Sequence, residues 1–208
     1  MSDLHSINEA INKKAGRKLL PSIGVGLSLI SLVWFALSYQ RVIFAIVVAI
    51  AVVLGVRELV RAFSARGVVI SFNGLTLAAI GLSYAAWVGG VAGLAIATAI
   101  AFPLLLIRAL LQGPEGFVAK ATATTFGLLY LPFLAGFLIL LARPSTGFQR
   151  VMTFVVLVGC NDTFGYIVGV LLGKHPLVPK ISPKKTWEGL AGSLVFTMLG
   201  GALAFEYI

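Results

Sequence analysis

The chain has 208 residues, of which 59% are hydrophobic and 11% charged, and its mean hydropathy is +1.03. Soluble domains carry about 25% charged residues, so a water-soluble globule is excluded and an all-α, polytopic membrane protein fits. The formal net charge of +9 lies in short stretches between apolar runs, where it sets topology rather than binding nucleic acid. The single cysteine, Cys160, rules out an internal disulfide and reads as a packed thiol.

Residues 1–18 form a basic tail with Lys13, Lys14, Arg17 and Lys18. Leu4, Ile7, Ala10 and Ile11 recur at near-helical spacing, so the tail reads either as a short interfacial helix or as a frayed end. The first apolar run, 19–39, is too long for a cleaved signal and reads as a retained span. Six more runs follow near 42–60, 72–88, 91–107, 122–141, 151–172 and 190–208. Each approaches the ~20 residues that carry a helix across ~30 Å of hydrocarbon. Helices are expected because a backbone in lipid must satisfy its own hydrogen bonds. The chain therefore divides into the tail and one transmembrane domain, 19–208, with about seven spans.

Lysine and arginine count thirteen in the tail and alternate loops, against three (Arg41, Arg143 and Arg150) in the others. That asymmetry places the N-terminus and the 173–189 loop in the cytoplasm, with the 143–150 loop as its weak point. Arg57, Glu58 and Arg61 at the end of the second run read as snorkelling or paired charges.

Asp162 sits about 11 residues into the sixth run, some 16 Å along a helix. A lone carboxylate at that depth costs about 2.5–3.5 kcal/mol, so it should face a wet cavity, a metal or a partner. The alternatives are a protonated, hydrogen-bonded Asp162 and a shallower span. Asn161 adds an oxygen donor, and Tyr166 lies one turn on over the same face. Gly165, Gly169 and Gly173 repeat every four residues and read as a packing strip.

Pro176, Pro179 and Pro183 interrupt any helix through the loop that follows. Ser182-Pro183 suggests an N-cap and first helical residue, with Lys184 and Lys185 in the first turn. Such a turn would gather free N–H groups and two ammonium groups into a phosphate seat, and an ordinary topology-setting loop is the equal alternative. Glu188 is spaced to pair with Lys184, Trp187 belongs at the membrane interface, and His175 reads as a solvated loop residue. No Ser/His/Asp system, Walker loop, EF-hand or cysteine metal site is present.

Asn161-Asp162-Thr163-Phe164-Gly165-Tyr166, Gly173-Lys174-His175 and Ile181-Ser182-Pro183-Lys184-Lys185-Thr186-Trp187-Glu188-Gly189 together resemble the motif region of bacterial phosphatidate cytidylyltransferases (CDP-diacylglycerol synthases). Pro21–Gly26 and Tyr130–Gly136 also look like the family, the resemblance running weakly from about residue 16 and strongly from about residue 120. The resemblance implies transfer of CMP from CTP to phosphatidic acid, giving CDP-diacylglycerol and pyrophosphate, in a bacterial cytoplasmic membrane. It implies Mg²⁺ as cofactor, with Asp162 near the metal and Lys184 and Lys185 gripping phosphate. It also implies a substrate-binding role for Asn161, Tyr166, Lys174, Ser182, Thr186 and Glu188. CTP, phosphatidic acid and membrane lipid are the implied partners, with a homodimer as a candidate assembly.

The family continues into a segment rich in Lys, Asp, His-Gly-Gly and Asp-Arg that these residues do not supply. The chain is accordingly expected to be a fragment, a truncated product or half of a split enzyme. The rival readings are a CTP-dependent lipid-alcohol kinase, a catalytically inactive paralogue and, more distantly, a transporter.

Overall fold

The computed structural model describes residues 19–207; the basic tail expected over 1–18 lies outside the described residues. Helix α1 spans Leu19–Tyr39, α2 Arg41–Ser64 and α3 Phe72–Leu111. Helix α4 spans Phe117–Leu128 and passes through a π-helical turn, Leu129–Phe133, into α5, Leu134–Ala142. Helix α6 spans Gly147–Leu172, strands β1 and β2 span Pro176–Val178 and Ser182–Thr186, and α7 spans Trp187–Tyr207. The all-α expectation holds apart from that short hairpin.

Five helical stretches among the described residues are long and apolar enough to cross a membrane: α2, α3, Phe117–Ala142, α6 and Trp187–Glu206. The two runs expected over 72–88 and 91–107 form one helical stretch, broken at Gly90, whose φ of 63° and ψ of −146° are open chiefly to glycine. The break folds the stretch back on itself. A Cβ on Gly74 would lie 2.9 Å from a Leu105 methyl, and Arg108 Nε donates to Ser71 Oγ at 2.8 Å. Residues 74 and 105 would be about 46 Å apart along an unbroken helix.

The break leaves carbonyls at the end of the 72–89 limb without helical partners, and Arg143 supplies them. Its Nε donates to Trp87 O at 2.8 Å and its Nη2 to Val88 O at 3.0 Å. Arg41 in turn donates to the carbonyls of Arg143 and Pro144. The arginines that blurred the sequence charge pattern thus include one with a structural task.

The core lies among α1–α5 and the start of α6. Val56, Leu75, Leu82, Leu94, Leu128, Ile139 and Val151 are all fully buried there. Small residues set the spacing: a Cβ on Gly136 would meet Leu94 at 2.6 Å, and one on Gly127 would meet Leu75 at 3.2 Å. After Val155, α6 contributes no further residue to this core, and its remaining length pairs with α7.

Glycines carry that pairing. A Cβ on Gly192 would lie 2.6 Å from Val168, one on Gly200 2.7 Å from Cys160 Sγ, and one on Gly165 3.1 Å from Ser193. The packing role read for Gly165, Gly169 and Gly173 holds, as does the packed thiol of Cys160. Small residues let two helices approach until their backbones touch, which replaces the hydrophobic drive that lipid does not supply.

Candidate active site

The motif residues occupy the α6–α7 pair and the hairpin that joins it. The hairpin is closed by Ile181 N donating to Val178 O at 3.1 Å, a four-residue turn with Pro179 at its second position. Proline presets the φ that position requires. Among the described residues no non-glycine residue has positive φ, so Lys180 at the third position fits a type I turn rather than type II. Pro176 pairs with Thr186 and Val178 with Ser182, so five residues of β2 face three of β1. Lys184 and Lys185 lie in this bulged stretch, and both are exposed. Bulges re-aim side chains beside functional sites.

The sequence expectation of a helix starting at Ser182-Pro183 is therefore corrected: Ser182–Thr186 is a strand and the helix begins at Trp187. Thr186 is the N-cap, its Oγ1 accepting from Gly189 N at 3.2 Å. Two lysines in a first helical turn would oppose the helix dipole, whereas the observed start places Glu188 there, where the dipole favours it. The proposed phosphate seat at a Ser182-capped turn is not formed. Lys184 and Lys185 lie in a strand, and at the helix start that does form Gly189 N is engaged by Thr186 Oγ1 and Trp187 N by His175 O at 3.0 Å.

Glu188 does not pair with Lys184. Its Oε2 accepts from the backbone amides of Lys174 at 3.2 Å and His175 at 3.3 Å, and its Oε1 meets His175 Nδ1 at 2.6 Å. This one carboxylate ties the end of α6 to the start of α7. His175 is the solvated loop residue expected, its side chain 77% exposed, and it is in addition a partner of Glu188. Thr186 presses against the same corner, where a Cβ on Gly173 would lie 2.7 Å from Thr186 Oγ1. With Glu188 engaged, the ammonium groups of Lys174, Lys180, Lys184 and Lys185 have no ion-pair partner among the described residues.

Deeper along α6, Asn161 Nδ2 donates to Asp162 Oδ1 at 3.3 Å, and both residues are exposed on the helix surface. Asp162 lies ten residues before Leu172, about 15 Å down the helix from the hairpin. Tyr166 is 37% exposed on the intervening turn and makes no hydrogen bond to Asp162 among the described residues. The structure thus gathers Lys174, Ser182, Lys184, Lys185, Thr186 and Glu188 at one end of α6 and sets Asn161 and Asp162 apart from them. Glu58 pairs with Arg61 at 2.8 Å, as a snorkelled pair should.

Sequence reasoning missed His175 and the capping role of Thr186. A Thr followed by Glu two residues later was the available signal, and Ser182-Pro183 supplied a competing one. No group of three or more His, Cys, Asp or Glu residues suited to a metal occurs among the described residues. Asn161 and Asp162 offer two hard oxygen donors. That fits Mg²⁺, which is held by one or two carboxylates together with waters and substrate phosphates.

Comparison with known proteins adds family evidence. The model of the Cytidylyltransferase family matches residues 22–208. A phosphatidate cytidylyltransferase of Mycobacterium leprae is 35% identical over 198 residues, covering 88% of this chain and 64% of the relative. One of Mycobacterium tuberculosis H37Rv is 32% identical over 195 residues, covering 88% of this chain and 60% of the relative. One of Aquifex aeolicus is 40% identical over 84 residues, covering 40% of this chain and 32% of the relative. The chain thus spans 60–64% of the length of these mycobacterial relatives. No solved structure matches it significantly.

Proposed function

This chain belongs to the Cytidylyltransferase family, and on that premise we propose that it transfers CMP from CTP to phosphatidic acid, giving CDP-diacylglycerol and pyrophosphate. The observation that carries the reading is the braced hairpin. Glu188 fixes the turn through three contacts, and four lysine ammonium groups are left for a polyanion. In the reaction a phosphate oxygen of phosphatidic acid attacks the α-phosphorus of CTP while the bond to the β-phosphate oxygen breaks. Lys174, Lys184 and Lys185 offset the charge that develops on the departing pyrophosphate. Ser182 and Thr186 border the nucleotide. Asp162 and Asn161 would hold Mg²⁺, which supplies Lewis-acid stabilisation of phosphoryl oxygens when bound.

The membrane arrangement belongs to the same proposal. The fold-back at Gly90 supports counting α3 as two crossings and the domain as seven. The excess of basic residues around the hairpin supports a cytoplasmic N-terminus and hairpin in a bacterial cytoplasmic membrane, where CTP is available.

The test is CMP transfer from labelled CTP to phosphatidic acid in detergent with Mg²⁺. We expect CDP-lipid and pyrophosphate from the parent chain, and a loss of about 10²-fold or more in Lys185→Ala and Asp162→Asn, the range for a lost transition-state contact. Arg66→Gln, an exposed cation outside the hairpin, should retain the parent rate. A phosphorylated lipid with release of CDP would identify a kinase instead. Unchanged transfer in both site variants would remove the role assignments.

A further inference from the structure

A second concentration of charge lies at the other end of α6. Arg150 stands in its first turn, 22 residues before Leu172 and so about 33 Å from the lysine hairpin. Beside it opens a cleft of about 830 Å³, walled by Val91, Phe137, Leu140 and Leu141 and rimmed by Arg143 and Arg150. That size falls within the range of ligand sites. Val91 and Phe137 are among the exposed large hydrophobic residues, so the cleft opens sideways, towards lipid.

Arg41, Arg143 and Arg150 meet at this edge, and no carboxylate pairs with any of them among the described residues. Two are committed to carbonyl groups. Arg143 caps the broken limb of α3 and Arg41 holds the turn after α5. Arg150 donates through Nε to Thr146 Oγ1 at 3.0 Å, and its two Nη groups make no hydrogen bond within the described protein. An apolar trough with an unneutralised guanidinium at its mouth is matched by a molecule that is hydrocarbon along its length and anionic at one end. A soluble phosphate would satisfy Arg150 and leave the trough empty, and a neutral lipid would fill the trough and leave Arg150 unpaired.

We propose that this cleft binds an anionic phospholipid, one acyl chain lying against Phe137, Leu140 and Leu141 and the phosphate held by the Arg150 guanidinium. The site is separate from the lysine hairpin, and the proposal does not rest on the reaction assigned there. A guanidinium presents parallel N–H donors that match two phosphate oxygens at once.

The purified chain is titrated in nanodiscs or mixed micelles with phosphatidylglycerol or with phosphatidylcholine of the same acyl composition, and retained lipid is counted by native mass spectrometry. Phosphatidylglycerol should be retained preferentially. Arg150→Gln should lower that preference about fivefold, the factor for one basic residue near an anionic headgroup. Leu140→Trp, which fills the trough, should lower retention of phosphatidylglycerol while the fold, followed by thermal unfolding, persists. Arg66→Gln should leave the preference intact, and millimolar glycerol 3-phosphate should fail to displace the lipid. Equal retention of the two lipids, a preference unchanged by Arg150→Gln, the same loss in Arg66→Gln, or displacement by glycerol 3-phosphate would each overturn the proposal.

Discussion

Replacing Gly189 with alanine tests whether backbone contact between α6 and α7 sets the geometry of the hairpin. The added Cβ would lie 2.8 Å from Gly165 O, 3.1 Å from Gly169 Cα and 3.2 Å from Thr186 Oγ1. The two closest of these are backbone atoms, which no rotamer change can move. Restoring ordinary contact at about 3.4 Å requires the helices to separate by about 0.6 Å, and a gap of that size forfeits a quarter to a half of the dispersion energy of the atoms it parts. Overpacking of this kind costs about 1–3 kcal/mol, set against the roughly 1 kcal/mol by which alanine outranks glycine in a helix. Gly159→Ala separates the two terms. It lies in α6 with nothing within 4 Å of the new methyl group, so it should show the propensity gain alone. The two variants should differ in unfolding free energy by about 2 kcal/mol, with Gly189→Ala the weaker. Denaturation in detergent, followed by the fluorescence of Trp187 beside the contact, measures the difference. Equal stabilisation by both substitutions would refute the reasoning.

Two further outcomes follow from the hydrogen bonds. Arg143→Gln should destabilise the chain by about 1.5 kcal/mol, the low end for charged hydrogen bonds because the guanidinium is exposed, and Arg143→Lys should recover only part of that. A melting curve identical to the parent's would deny Arg143 its capping role. Glu188→Gln weakens the tie to His175, so the amides of Lys174 and His175 should exchange with solvent faster and CMP transfer should fall by about 10²-fold, as expected when a catalytic group shifts by about 1 Å. Unchanged exchange at both amides would show that Glu188 does not brace the turn.

The helices were legible in the sequence because lipid enforces them. An apolar run with no other means of satisfying its backbone must be helical, and the ends of α1, α2 and α6 fall within a few residues of the hydropathy boundaries. Glycine spacing likewise announced a packing face on α6, though not that α7 would fill it. The lysine hairpin was not legible, because its strands are too short to show alternation and β2 exists only by pairing with β1. Ser182-Pro183 met the local rule for a helix start and lost to that pairing. The bond between Glu188 and His175 spans 13 residues, beyond any periodicity argument, and the task of Arg143 depends on a helix end 55 residues earlier. Asp162 stood out by its charge alone, and its Asn161 partner was the adjacent residue.

The folded-back α3 also bears on how the protein enters its membrane. Between Arg66 and Arg108 lie 41 residues without a single Asp, Glu, Lys, Arg or His. The turn at Gly90 can therefore pass through hydrocarbon without carrying a charge, sparing the cost of about 2.5–3.5 kcal/mol that each ionised residue would add. Its two limbs can cross hydrocarbon as a pair, with Arg66 and Arg108 at the ends away from the turn. Arg143, 35 residues beyond Arg108, is made later, so the carbonyls of Trp87 and Val88 gain its guanidinium only after both limbs have been synthesised.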